Sequence, residues 1–347
     1  MRIVHLIPGL MTGGSETMLI NIANEQATNH SVMVIIFNQD YDRNLLMLFS
    51  EQVKLKLINR PVSSKNPWYV LKLNWTIFSF RPQIVHSHLQ DFIYIVLRIG
   101  YKYVYTIHDT NIEAKELKKH QHMIAISKAV QQDVEKRTKM HPQLIYNGII
   151  VDSFKKKSFI SVPHDLNFKI VQVSRLMHMK KGQLILIQAI EILNQRGYDN
   201  IVLDLIGEGE SRSFLEKYVK EHFLTNIHFL GNKSVVYISQ NLCNYDLFVQ
   251  PSLFEGFGLT VAEAMAAKVP VLVSQNEGPL EIIDGGKYGY TFENGSIEDC
   301  ANKIEQIMNM NHEEVYQETE KAFEHVKNHF NIKTTSKKYI QYYRSCE

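Results

Sequence analysis

The chain has 347 residues, enough for two domains and for a large core without disulfides or bound metal. Its 45% hydrophobic and 21% charged residues, with a net charge of +2, place it in the soluble globular class and exclude disordered, coiled-coil, collagen and integral membrane chains. No apolar run approaches the roughly 18 residues of a membrane span, and Cys243, Cys300 and Cys346 are too scattered for a disulfide framework or a zinc ribbon.

Short apolar, β-branched runs alternate with helical patterns along the chain. Strands are expected at residues 3–7, 31–37, 53–58, 84–86, 103–107, 123–126 and 144–146. The opening run is broken by His5 and does not read as a signal peptide. Helices are expected at 14–24, with Met18, Leu19, Ile22 and Ala23 on one face, and at 127–137, with Ser127 as N-cap. The irregular stretch 149–167, with Pro163, reads as a linker. The pattern then restarts, with strands at 169–173, 201–206, 227–229, 247–250 and 271–273. Its helices fall at 182–195, 211–222, 258–267, 297–308 and 313–328, and a last amphipathic helix at 332–345 carries Tyr339, Tyr342 and Tyr343. This alternation predicts two doubly wound α/β domains, 1–155 and 165–330, with ligands at the carboxyl ends of parallel strands.

Charge is uneven. Residues 1–160 carry 20 Lys/Arg against 12 Asp/Glu, whereas the remainder is net acidic. The clusters Lys115, Lys118, Lys119 and Lys155, Lys156, Lys157 read as a solvated face or as peripheral contact with an anionic membrane. No nucleic-acid-binding signature is present, so nucleic acid is not an expected partner. The expected location is cytoplasmic, with peripheral contact at the membrane face as the variant.

Three loops carry chemistry. The first, residues 8–16, holds Gly13 and Gly14 where a strand passes into a helix, and free N–H groups there suit a phosphate. A merely tight turn would look the same. The second, residues 174–182, brings Arg175 and Lys181 to a strand end, a fork and a point charge suited to a diphosphate. The third, residues 251–266, places Glu255 in a glycine-rich loop and Glu263 in the following helix. A carboxylate beside a helix N-terminus can accept ligand hydroxyls while the first N–H groups face anionic oxygens.

The string Glu255-Gly256-Phe257-Gly258-Leu259-Thr260-Val261-Ala262-Glu263 resembles the E-x7-E signature of family four of the retaining glycosyltransferases. Gly13-Gly14-Ser15-Glu16, Ile124-Ala125-Ile126-Ser127-Lys128, Tyr146-Asn147-Gly148-Ile149 and Ser174-Arg175-Leu176 with Lys181-Gly182 match further stretches of that family, Ser174 replacing its usual glycine. The resemblance spans nearly the whole chain. It implies the GT-B fold, two Rossmann-like domains facing across a cleft, with acceptor bound by the first and nucleotide-sugar donor by the second.

The resemblance also implies residue roles. Arg175 and Lys181 would bind the donor diphosphate, Glu255 the donor sugar hydroxyls and Glu263 the ribose. Backbone N–H groups of Phe257, Gly258, Leu259 and Thr260 would hold sugar and phosphate oxygens, and Gly13 and Gly14 would approach the diphosphate. His108 matches a family histidine near the reacting sugar. Residues 207–210 would lie near the base. The family uses no bound metal or other cofactor, and UDP is its common nucleotide. In GT-B proteins the last helix often crosses back to the first domain; a plain terminal helix of the second domain is the alternative.

His86 and His88 end a strand and point the same way, which suits acceptor binding or a structural role. No third ligand completes a metal site with them. The function so implied is a retaining, hexosyltransferase-type glycosyltransferase. It would move a sugar, most commonly from a UDP-sugar, to a glycan or lipid-linked glycan acceptor in surface polysaccharide biosynthesis. An inactive sugar-nucleotide-binding subunit and a nucleotide-sugar epimerase are the alternatives, and the missing G-x-G-x-x-G disfavours a dehydrogenase.

Overall fold

The computed structural model describes residues 1–11, 13–158 and 167–346. Thr12 of the first glycine loop, Pro163 of the expected linker and the expected second-domain start at residue 165 lie outside the described residues. The chain divides into two compact units, Met1–Ile149 with Asn331–Glu347, and Ile150–Phe330.

The first unit is built on β1 (Arg2–Ile7), β2 (Ser31–Asn38), β3 (Lys54–Arg60), β4 (Ile84–Ser87), β5 (Lys102–Ile107), β6 (His122–Ala125) and β7 (Gln143–Leu144). All pair in parallel, in the order β3-β2-β1-β4-β5-β6-β7. Val32 to Phe37 are all buried, the near-continuous apolar run expected of a strand covered on both faces. The sheet winds outward from β1 in one direction and, after the chain crosses over, from β4 in the other. Ligands of open parallel sheets bind at such a switch point.

The second unit repeats the plan with β8 (Phe168–Val173), β9 (Ile201–Ile206), β10 (Ile227–Gly231), β11 (Leu247–Gln250), β12 (Val271–Ser274) and β13 (Tyr290–Phe292). Their order, β10-β9-β8-β11-β12-β13, puts the switch between β8 and β11. The helix Gln183–Gln195 covers this sheet with Leu186, Ile187, Ile190 and Leu193, all fully buried.

The structure departs from the sequence reading in several elements, including the unread short helices Arg43–Leu46, Val235–Asn241 and Glu277–Ile282. β7 stops at Leu144 instead of running to Tyr146, because the Tyr146 carbonyl accepts from Thr335 Oγ1 at 3.0 Å. β13 went unread because three residues are too few to display a period. The helix Trp68–Phe80 went unread because it is apolar on both faces and shows no polar stripe.

The last helix, Ile332–Ser345, belongs to the first unit. Tyr339 and Tyr343 are buried, and Tyr342 donates from its hydroxyl to the Met123 carbonyl at 3.2 Å. Gly148 makes room for it: a Cβ there would stand 2.5 Å from Thr335 Oγ1 and 2.8 Å from Ile332 Cα.

Candidate functional site

In the second unit the loops after the neighbouring strands β8 and β11 are locked together. Gly182 has φ +67°, and a Cβ on it would fall 1.8 Å from the Pro251 carbonyl oxygen. Only glycine tolerates both conditions. The backbone N–H groups of Leu253 and Phe254 donate to the Lys180 carbonyl at 2.9 and 3.2 Å. Buried Gln172 and Gln183 hold the first loop from beneath, through the Lys181 and Arg175 carbonyls, each at 2.9 Å.

This clamp brings Lys181 Nζ onto the Glu255 carboxylate, an ion pair of two half-buried side chains. The same carboxylate oxygen accepts from Gln250 Nε2 at 3.3 Å and Ser252 Oγ at 3.4 Å, and Thr260 Oγ1 donates to Gln250 Oε1 at 3.4 Å. Arg175 is exposed, and its guanidinium has no partner among the described residues. Among the described residues, the exposed Arg175 and the Lys181–Glu255 pair thus stand on loops that follow neighbouring strands at one sheet switch.

The helix Leu259–Ala266 starts at this loop from Gly258, whose φ of +95° again calls for glycine. No side chain caps it, so its first N–H groups remain available to anionic or hydroxyl oxygens. Phe257 is buried and packs edge-on against Phe330 at 5.7 Å, so what it can offer a ligand is backbone. Gly278 backs the loop closely: a Cβ there would lie 2.4 Å from the Glu255 carbonyl oxygen. Glu263, on the helix, pairs with no described side chain, and burial pushes its carboxyl up to about 7. Near neutral pH such a group can both accept from and donate to a hydroxyl.

In the first unit Gly13 is extended at the start of the helix Gly14–Ala27, and no side chain caps it. Glu16 folds back over it, held by Ser15 Oγ at 2.6 Å, so a phosphate at Gly13 and Gly14 requires that carboxylate to swing away.

The histidines form a network that reaches well beyond the two at the strand end. β1 and β4 pair with His5 opposite His86, which brings in a third imidazole that sequence alone does not link to the others. Gln26 Oε1 accepts from His5 Nε2 at 2.9 Å. His88 Nε2 then donates to His5 Nδ1 at 3.1 Å, and His108 Nε2 donates to His88 Nδ1 at 3.1 Å. The chain of bonds leaves His108 with an unprotonated Nδ1 to offer a hydroxyl. His86 lies beside it with both nitrogens taken, by Tyr343 Oη and Thr106 Oγ1, each at 2.6 Å.

His5, His86 and His88 have candidate ligand atoms within 4.8 Å of one another, so the structure supplies the third ligand that the sequence reading lacked. No carboxylate belongs to the group, and its nitrogens are already satisfied by each other and by Gln26, Thr106, His108 and Tyr343. His86 is fully enclosed with both nitrogens bonded, and His88, also buried, is bonded through both of its own, so neither presents a free nitrogen.

Burial holds these imidazoles neutral: His5 and His108 fall to about 4, and His86 and His88 well below the usual range. The unfolded chain binds protons near pH 6.5 and the folded one does not, so stability falls with falling pH. We expect the full contribution above pH 6.5 and progressive loss toward pH 4. Enclosed His5 alone accounts for roughly 3 kcal/mol at about 1.4 kcal/mol per pH unit. Urea titrations at pH 7.5, 6 and 5 check this, and a flat profile contradicts it. His5→Asn should flatten the slope.

The structure thus brings together Lys181, Glu255, Gly258, Leu259 and Thr260 in one unit, and His88 and His108 in the other. Sequence reading missed Gln250 and Ser252 around Glu255, and His5 and Gln26 behind His88. A polar residue inside an otherwise apolar strand was the available signal for His5 and Gln250.

Residues 153–325 match the family model Glycosyl transferases group 1, and residues 12–153 match Glycosyltransferase Family 4. An uncharacterised glycosyltransferase of Methanocaldococcus jannaschii is 27% identical over 228 residues, 66% of this chain and 59% of its own. The capsular polysaccharide biosynthesis glycosyltransferase CapM of Staphylococcus aureus is 32% identical over 143 residues, 41% of this chain and 37% of its own. These aligned stretches cover less than two thirds of either relative's length. The structure of HepE of Anabaena, solved in complex with UDP and glucose, superposes with a TM-score of 0.82 at 21% identity over 99% of both chains. That likeness assigns the fold.

Proposed function

Because the chain belongs to the GT-B glycosyltransferases, we propose that it transfers a sugar from a UDP-sugar to a glycan or lipid-linked glycan acceptor in surface polysaccharide biosynthesis, with retained anomeric configuration. The observation that carries this reading is the Lys181–Glu255 pair beside the uncapped helix that starts at Gly258. A nucleoside-diphosphate sugar has an anion for the lysine and hydroxyls for the carboxylate. Binding it exchanges one internal ion pair for two ligand contacts. The complex of HepE with UDP and glucose supports the nucleotide, and the role printed for CapM supports a glycan product.

Breaking the anomeric C–O bond leaves negative charge on the departing diphosphate. In this reading Lys181, Arg175 and the N–H groups of Leu259 and Thr260 stabilise that charge, which is the kind of term that dominates catalysis. Glu255 orients the sugar through its hydroxyls and Glu263 takes the ribose. In the first unit we assign Gly13 and Gly14 to a phosphate, His108 Nδ1 to a substrate hydroxyl, and His88 to holding the His108 tautomer. For retention, a leaving phosphate oxygen takes the acceptor proton on the face that it vacates. No metal or other cofactor has a role in this reading.

A thermal-shift panel of nucleoside diphosphates and sugar nucleotides tests it, because a ligand of the native state raises the midpoint. The wild type should be stabilised by UDP and further by one UDP-sugar. In Glu255→Gln the UDP shift should persist or grow, since Lys181 is no longer neutralised, and the extra shift from the sugar should vanish. No shift with any nucleotide at millimolar concentration would favour the inactive-subunit reading. An undiminished sugar increment in Glu255→Gln would remove Glu255 from the sugar site.

A further inference from the structure

The helix Trp68–Phe80 turns two apolar faces in opposite directions. Leu73 and Ile77 pack into the core of the first unit, whereas Trp68, Leu71, Trp75 and Phe78 follow a 3-4-3 spacing on the outer side. The outer residues are at least 61% exposed, and Leu97 and Ile99 of the next loop are 62% and 75% exposed beside them. Together they line an open groove of about 1070 Å³. Contiguous apolar surface of this kind marks a contact with something else.

Charge identifies the occupant. The groove is also lined by Arg2, Lys72 and Arg81, with no acid among its lining residues. From residue 52 to residue 108 the chain carries eight Lys or Arg and a single acid, Asp91. Two copies packed face to face would bring these cations together with nothing to neutralise them. Neither indole N–H has a partner among the described residues, and an indole with an apolar body and an unpaired polar tip suits a headgroup boundary.

The lysine clusters conspicuous in the sequence do not line this groove; Lys115, Lys118 and Lys155 are exposed, and the other three are held by the protein itself. Lys119 pairs with Glu116 at 3.1 Å and lies over the Tyr94 ring at 4.1 Å. Lys157 binds Asp246 at 2.8 Å, and Lys156 lies over Phe323 at 5.0 Å. Among the described residues no helix is long and apolar enough to cross a membrane.

We propose that the outer face of the helix Trp68–Phe80, with Leu97 and Ile99, docks onto an anionic lipid bilayer. The aromatic and aliphatic side chains enter the headgroup boundary, and Arg2, Lys72 and Arg81 meet lipid phosphates. The proposal rests on exposure and charge, and holds or fails independently of the transferase reading.

The chain has two tryptophans, and both lie on this face, so their fluorescence reports on it without a label. Full-length protein is titrated with vesicles of phosphatidylglycerol, and with vesicles of phosphatidylcholine alone, and sedimented with each. We expect a blue shift and co-sedimentation with phosphatidylglycerol, weakened by salt, and little of either with phosphatidylcholine. The double variant Trp75→Ser, Phe78→Ser should lose about tenfold or more in partitioning with its circular dichroism unchanged, since both side chains point to solvent. Trp68 remains as its reporter. Lys72→Gln with Arg81→Gln should lose the preference for the anionic lipid.

Unchanged emission in an excess of phosphatidylglycerol would overturn the proposal. So would equal binding to phosphatidylcholine. A blue shift on concentrating the protein without lipid would give the face to a second copy of the chain.

Discussion

Lys181→Ala is expected to lose sugar transfer almost completely and to keep its fold. The ammonium is the cation clamped at the switch point of the second sheet, and Glu255 is its one described partner. In the proposed reaction it meets charge that grows as the diphosphate departs, so its contribution falls mostly on the transition state. Removing such a group from a pre-formed site costs roughly 10³-fold in kcat. The fold survives because Gln250 and Ser252 still donate to the Glu255 carboxylate, which is therefore not left without a partner when the ammonium goes. The measurements are kcat and KM with the donor found by thermal shift, next to a melting curve. Turnover within tenfold of wild type would remove Lys181 from the diphosphate site. A collapsed melting curve would make the residue structural.

Gly182→Ala should unfold the second unit more readily than any surface change and abolish donor binding as well. The added Cβ would stand 1.8 Å from the Pro251 carbonyl oxygen, a backbone atom that cannot rotate away, at a φ of +67°. Strained φ and forced displacement of a packed loop together cost about 3 kcal/mol, a fall of roughly ten degrees in Tm. The displacement also parts Lys181 from Glu255, since the approach of their two loops depends on this glycine. Chemical denaturation and UDP binding measure the two effects separately. A variant as stable as wild type would mean that the loops do not meet as closely as described. Gly197→Ala is a suitable control. Gly197 also has a positive φ, but nothing lies within 4 Å of its Cβ position, so only the conformational part of the cost should remain.

The two sites differ in how far they could be read in advance. At the second-unit site the recognisable residues are close in sequence. Arg175, Lys181 and Gly182 follow one strand, and Glu255, Gly258 and Glu263 follow another. Strand ends, glycines at special φ and helix starts are local events, so their residues stand together in the chain. The first-unit network is dispersed over Gln26, His5, His86, Thr106, His108 and Tyr343, and no local pattern links them. His86 and His88 were visible as a pair, but their surroundings were not, and so His86 read as available when it is enclosed.

Sequence by itself determined the alternation of strands and helices, the two α/β halves and the loops that carry the charged and glycine residues. Each of these rests on short-range periodicity and on backbone angles that one residue type alone can adopt. Only the tertiary structure decided which loops meet. Strand order sets β8 beside β11 and so Lys181 against Glu255, and the register of β1 on β4 sets His5 opposite His86. It also decided that the last helix belongs to the first unit, and that one side of the helix Trp68–Phe80 faces outward. Parallel pairing joins segments separated by whole crossovers, so its outcome depends on how all the crossovers pack at once, and no stretch of sequence encodes it alone.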